Sequence, residues 1–245
     1  MKLLALDTAT ESMAVGLADG AVHSVVNAEG GALASERLIP TALELLAQRG
    51  LVPSALDAVA FGQGPGAFTG LRTAVAVAQG LAFGIGCPVL PIDSLAIVAE
   101  DARAQALGPD AGEAFELWVV MDARMDEAYA AAYRHDGRAW QVRRAPALYT
   151  LEALAACWQA EGGPGQVAGS AVEAFAARLP WGAARLWPRT ADRAAALLRL
   201  ACSAWAAGRG VPAAAALPVY LRDKVASTTA EREAAKAAAA GGAGR

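Results

Sequence analysis

The chain has 245 residues, 56% hydrophobic and 18% charged, with a formal net charge of -3. This composition excludes a disordered chain, and the charge supplies no global basic field for nucleic acid or an anionic membrane. The length suffices for one large domain or two small ones with a proper core. Cys87, Cys157 and Cys202 are odd in number and widely spaced, with no CxxC site. A reducing compartment, the cytoplasm, is expected. Residues 3–6 are apolar, but Asp7 ends the run before it reaches the length of a signal-peptide core. Residues 74–91 are broken by Gln79, Gly80, Gly84 and Gly86, and read as too short and too glycine-rich to span a bilayer.

In chain order, residues 3–6 predict a buried strand ending in the polar turn of Asp7 and Thr8. Residues 13–17 and 21–26 follow, joined by Asp19-Gly20, a hairpin signal. A helix is predicted over 35–48, with Pro40 near its start and Gly50 and Pro53 beyond its end. Its apolar residues spread over an arc of roughly 160°, wider than one core-facing stripe needs. A strand at 58–61, a helix over 69–83, a strand at 89–92 and a helix over 95–106 complete the order βββαβαβα.

Near residue 112 the pattern restarts. Residues 117–121 run into Asp122 as 3–6 run into Asp7, and 128–133 run to Asp136-Gly137 as 13–17 run to Asp19-Gly20. An internal duplication is the economical explanation. Two similar α/β subdomains with mixed sheets are expected, 1–110 and 111–225, in the layout of the actin-like ATPase fold. The second half then reads as helical, over 151–161, 171–179 and 191–207. A tail of Ala, Glu, Lys and Gly, residues 226–245, is expected to be disordered.

The segment GQGPGAFTGLR, residues 62–72, lies between a strand and a helix. Glycines there allow backbone N–H groups to face an anion at a helix start. It is no Walker A loop, and it reads equally as a phosphate cradle or as a structural turn. Asp7 and Thr8, with Gly64 and Gly66, are the candidate nucleotide-binding residues: in actin-like ATPases an acidic residue at this place helps hold a metal-bound nucleotide. The alternative is that Asp7 only turns the chain. Asp122 is its counterpart, but the following residues bring further carboxylates towards any phosphate. His23 and His135 have no metal-ligand spacing, and no GxSxG elbow is present. Arg134, Arg138, Arg143 and Arg144 read as RNA-phosphate contacts or as a solvated hairpin edge.

Four segments in order, LALDTATE (4–11), FGQGPGAFTGLR (61–72), VMDARM (120–125) and PVYLR (218–222), resemble the bacterial TsaB (YeaZ) family. The resemblance implies the duplicated actin-like fold and a part in making N6-threonylcarbamoyladenosine (t6A) in tRNAs that read ANN codons. It implies an accessory subunit without catalytic or metal-binding residues of its own. The partners implied are a metal-carrying TsaD-like catalytic subunit and a small TsaE-like ATPase, with tRNA met through the complex, ATP or ADP held within it, and a homodimer when the chain is alone. Ser94 and Val98 fall where the TsaD-like relative has its two metal-binding histidines, and neither replaces imidazole. The family's pairing surface uses the first two helices, so Leu38, Ala42 and Leu45 on one edge of the first helix are expected at the interface, with Arg72, Val75 and Gln79 on the second. Burial of both faces within the monomer is the alternative. The rival functions are an independent small-molecule kinase or ATPase of the same fold, using Asp7 or Asp122, and the peptidase of an older glycoprotease label, for which no nucleophile is evident.

Overall fold

In the computed structural model, which describes residues 1–222 (the side chain of Ala32 aside), the apolar run after Lys2 becomes β1 (Lys2–Asp7). Leu3, Leu4, Ala5 and Leu6 are fully buried, because β1 is central and covered on both faces. β2 (Ser12–Asp19) and β3 (Val22–Glu29) continue the meander antiparallel, turning at Gly20 with φ 62°. That left-handed φ is open to glycine without strain. β4 (Ala58–Gly64) and β5 (Val89–Asp93) add in parallel on the other side, giving the order β3-β2-β1-β4-β5.

The side-chain period of two sorts the first core into two layers. Leu4 and Leu6 point to α1 (Ala34–Gln48) and α2 (Phe68–Ile85). Leu3 and Ala5 point to α6 (Arg193–Ala206), through Leu197, Leu198 and Ala201. By length and composition α2 is apolar enough to cross a membrane, contrary to the reading of residues 74–91, because it starts already at Phe68. One face of it, with Leu71, Ala74, Val75, Ala78 and Ala82, is buried.

The second sheet repeats the first. β6 (Ala114–Asp122), β7 (Glu127–Asp136) and β8 (Trp140–Thr150) are the meander; β9 (Gln166–Ala168) and β10 (Arg185–Trp187) add in parallel, in the order β10-β9-β6-β7-β8. Read from the third strand of each meander, both sheets run 3-2-1-4-5, the duplicated actin-like arrangement. α4 (Leu151–Ala160) and the one-turn α5 (Ala171–Ala174) cover one face of it, through Leu154, Trp158 and Val172. α3 (Ser94–Leu107) covers the other, through Leu95, Val98, Ala99 and Ala102. Ile97, on the opposite side of α3, joins the core under α6.

Three expectations need correcting. β9 and β10 were not foreseen, since three residues carry no measurable period. The helix expected over 171–179 stops at Ala174, and Phe175 and Leu179 reach the core from turns. α6 and the segment after it return to the first half: Val211 bridges to Val89, and Ala213 and Ala216 join the layer under α1 and α2. The first sheet ends at Asp93 and the second begins at Ala114, but the helices do not follow chain order. The tail at 226–245 lies outside the described residues.

Candidate functional site

A cleft of about 870 Å³ opens between the turns that follow β1 and β6. Its wall includes Thr10, Phe68, Asp122, Arg124, Arg193 and Tyr220. This is where a mixed α/β sheet presents strand ends and helix starts, the usual place for a ligand in such folds.

Asp7 does not face this space. It is fully buried, and Oδ2 accepts a 2.6 Å hydrogen bond from Nε of Arg193, itself only 3% exposed at the start of α6. Arg193 Nη2 reaches the carbonyl of Ser94 at 3.5 Å. Asp7 Oδ1 has no hydrogen-bond partner among the described residues. Thr8 is likewise buried, and its hydroxyl donates to the carbonyl of Gly70 at 2.6 Å.

The glycines are explained by the same crowding. A Cβ on Gly62 would stand 1.9 Å from Asp7 Oδ1, on Gly66 2.5 Å from the carbonyl oxygen of Ala9, and on Gly70 1.8 Å from that of Thr8. The amide of Gly64 donates to Ser94 Oγ and that of Ala67 to the Ala9 carbonyl. The segment therefore packs as a structural turn against residues 7–9. Asp7, Thr8 and Gly64 are thus bonded within the protein, whereas Gly66 lines the cleft.

In the second half, Asp122 does line the cleft, but its Oδ1 accepts from the amide of Arg124, and Oδ2 lies 3.4 Å from that guanidinium. Arg124, Met125 and Asp126 have φ of 64°, 55° and 57°. Three consecutive left-handed residues without glycine cost about 1 kcal/mol or more each and need support. Arg222 supplies it: Nη2 donates to the carbonyls of Ala123 and Arg124 at 3.1 Å and to Glu127 at 2.5 Å. The preceding residues tie this strap to the first half. Val219 N donates to the Gln63 carbonyl, and Tyr220 stacks on Phe68 and accepts from Arg72 Nε at 2.9 Å. Arg222→Ala is expected to cost about 1.5–2 kcal/mol, the worth of charged hydrogen bonds to part-buried partners, and to open residues 123–127 to proteolysis; urea melts and limited digestion check this.

The halves are also joined beneath the cleft. Glu100, on α3, accepts from Arg103, from Arg199 of α6 and from Trp140 of β8. Asp93 caps α3 at Leu95 and Ala96 and accepts from the Tyr133 hydroxyl of β7 at 2.6 Å. Burial pushes the Asp93 carboxyl above its usual range. Tyr133 is pushed up by burial and by that carboxylate, so its hydroxyl stays a donor.

On the outer side of the first sheet, α1 turns Leu38, Ala42 and Leu45 inward, with exposures of 0%, 1% and 4%. The expected interface edge is thus the core edge, and Val75 on α2 is core as well. The apolar arc was real, but its other edge is the free one: Ile39 and Leu43 are each 44% exposed, beside Leu33. On α2 Arg72 is exposed but holds Tyr220, Gln79 donates to the Ala213 carbonyl, and Phe83 is 62% exposed. Gly80 and Gly84 have nothing within 4 Å of where a Cβ would stand. Sequence reasoning missed Arg193 altogether. Its one signal was a charge in an apolar helix. Arg222 stood in a quoted motif without a role.

Two sheets of identical order and a cleft between their first-strand ends define a protein of the duplicated actin-like class. The family model described as TsaD, tRNA N6-adenosine threonylcarbamoyltransferase, matches residues 32–232. The chain is 30% identical to the tRNA threonylcarbamoyladenosine biosynthesis protein TsaB of Escherichia coli, over 92% of this chain and 96% of that protein. A TsaB of Haemophilus influenzae is 40% identical over 53% of the chain and 52% of its own length, so that match spans about half of each. The solved structure of YeaZ from Pseudomonas aeruginosa superposes with a TM-score of 0.76 at 38% identity, covering 90% of this chain and 99% of that one. The chain belongs to the TsaB (YeaZ) family of tRNA threonylcarbamoyladenosine biosynthesis proteins.

Proposed function

We propose that the chain is an accessory, non-catalytic subunit of cytoplasmic t6A formation on tRNA, pairing with a TsaD-like catalytic subunit that a TsaE-like ATPase joins. The observation that carries the reading is the end-to-end match to a TsaB in a chain whose own first-strand carboxylate, Asp7, is buried and tied to Arg193. The pairing surface is the outer edge of α1 and α2: Ile39 and Leu43, Phe83, and the flat ground of Gly80 and Gly84. Apolar centres with closely approaching backbones suit a partner helix pair. The test is reconstitution of t6A formation from the same organism's TsaD-like and TsaE-like proteins, tRNA and a threonylcarbamoyl donor. Modified tRNA is expected only when this chain is present. Full modification without it, or by this chain alone, rejects the accessory role.

The glycines give an independent check. In a free helix, Gly80→Ala stabilises by about 0.5–1 kcal/mol. The isolated chain is expected to gain that much in a urea melt while its partner affinity, read by calorimetry, falls at least tenfold.

A further inference from the structure

We infer that Arg193 is a built-in cation standing where an actin-like ATPase holds its metal-bound nucleotide, and that it closes the cleft of this chain to divalent metal. The inference is independent of the pairing proposed above. The fold implies a metal near the first-strand carboxylate, so the question is whether the residues present fit one. Magnesium demands near-octahedral oxygens and keeps several of its waters, which needs a carboxylate open to solvent. Asp7 is fully buried, and one oxygen is spent on Arg193 at 2.6 Å. The other is jammed against Gly62, where even a Cβ would stand at 1.9 Å. No hydrated ion fits in that gap. The counterpart carboxylate, Asp122, is engaged by the backbone and guanidinium of Arg124. Among the described residues no three His, Cys, Asp or Glu side chains gather to replace them.

Charge completes the case. A guanidinium is never deprotonated in a protein, so Arg193 presents a permanent positive charge at the carboxylate a metal would need. It also lines the cleft, and so repels a cation arriving from that side. Because Arg193 opens α6, the same pair pins that helix to the end of β1, and this tie does not come and go with a ligand.

The experiment is a thermal-shift and calorimetric titration of the full chain with Mn²⁺ and with Mg–ATP, alongside Arg193→Ala and the double variant Asp7→Asn with Arg193→Met. The wild-type chain is expected to show no shift at millimolar Mn²⁺ or Mg–ATP. Arg193→Ala is expected to lose about 10 °C in Tm, as a buried anion without its partner should, and to recover part of it with Mn²⁺. The double variant regains most of the Tm and ignores the metal. A wild-type response to Mn²⁺ or Mg–ATP that Asp7→Asn abolishes overturns the inference. So does a folded Arg193→Ala chain that does not respond to Mn²⁺. Should Arg193→Ala not fold, the wild-type titration and the double variant decide alone.

Discussion

Glu100→Ala is expected to lower the unfolding free energy by about 3–5 kcal/mol at neutral pH, the cost of leaving buried positive charge without its partner. Glu100 is 3% exposed and Arg103 is 4% exposed. The carboxylate receives two bonds from Arg103, at 3.0 and 2.9 Å, one from Arg199 at 2.5 Å and one from Trp140 at 2.9 Å. Those donors come from three elements, so the loss falls on the joint between the halves and not on one helix. Burial alone would raise this carboxyl; the hydrogen bonds from Arg103, Arg199 and Trp140 outweigh it and hold it below its ordinary 4.5. With a lowered folded pKa, the unfolded chain takes the proton first. The stabilisation is therefore complete above about pH 4.5 and is lost as pH falls through the lower folded value. Urea midpoints measured from pH 7 downward should fall steeply in the wild type. In Glu100→Gln they should start lower and fall less. An equal slope in both would remove Glu100 from the acid transition.

The second large effect separates the two edges of α1. Leu38→Asp puts an unpaired charge at a site with no exposure, and the chain is expected to fold poorly or not at all, losing 4 kcal/mol or more. Ile39→Asp, one residue on and about 100° round the helix, should keep stability within about 0.5 kcal/mol while reducing affinity for the TsaD-like partner by ~100-fold. Circular dichroism melts and size-exclusion chromatography with light scattering read the two quantities separately. Unchanged pairing in a folded Ile39→Asp chain would move the interface off this edge.

Both outcomes bear on what the sequence could reveal. The twin meanders were legible because Asp19-Gly20 and Asp136-Gly137 sit between alternating runs, and their near-equal spacing exposed the duplication. α1, α2 and α3 were legible to within a few residues from their apolar spacing and stops. The phase of α1 was not. An arc of apolar residues says that two edges exist, but only the position of the sheet decides which is core. Strands β9 and β10 left no trace, since the pairing of β9 with β6, and of β10 with β9, is decided by neighbours distant in the chain. The glycine segment was visible as a special backbone, yet the same residues serve a phosphate or a close-packed turn. What the structure adds is the Asp7–Ala9 loop lying against them, a contact no local pattern encodes. Arg193 was hidden for the same reason: its carboxylate lies at the other end of the sequence.

The place of α6 has a consequence for how the chain is made. A polypeptide emerging from the ribosome displays all five strands of its first sheet long before residue 193 exists. Until then Leu3, Ala5, Ala60 and Leu90 have only Ile97 of α3 to pack against and lack the whole face of α6. The earliest half of the protein is thus completed by nearly the last described helix. Vectorial synthesis cannot finish it piecewise, and a chain cut before α6 carries an open apolar layer ready to meet a chaperone or another copy. Linking the old termini and cutting elsewhere, so that α6 is synthesised early, should relieve that interval while leaving the final architecture unchanged.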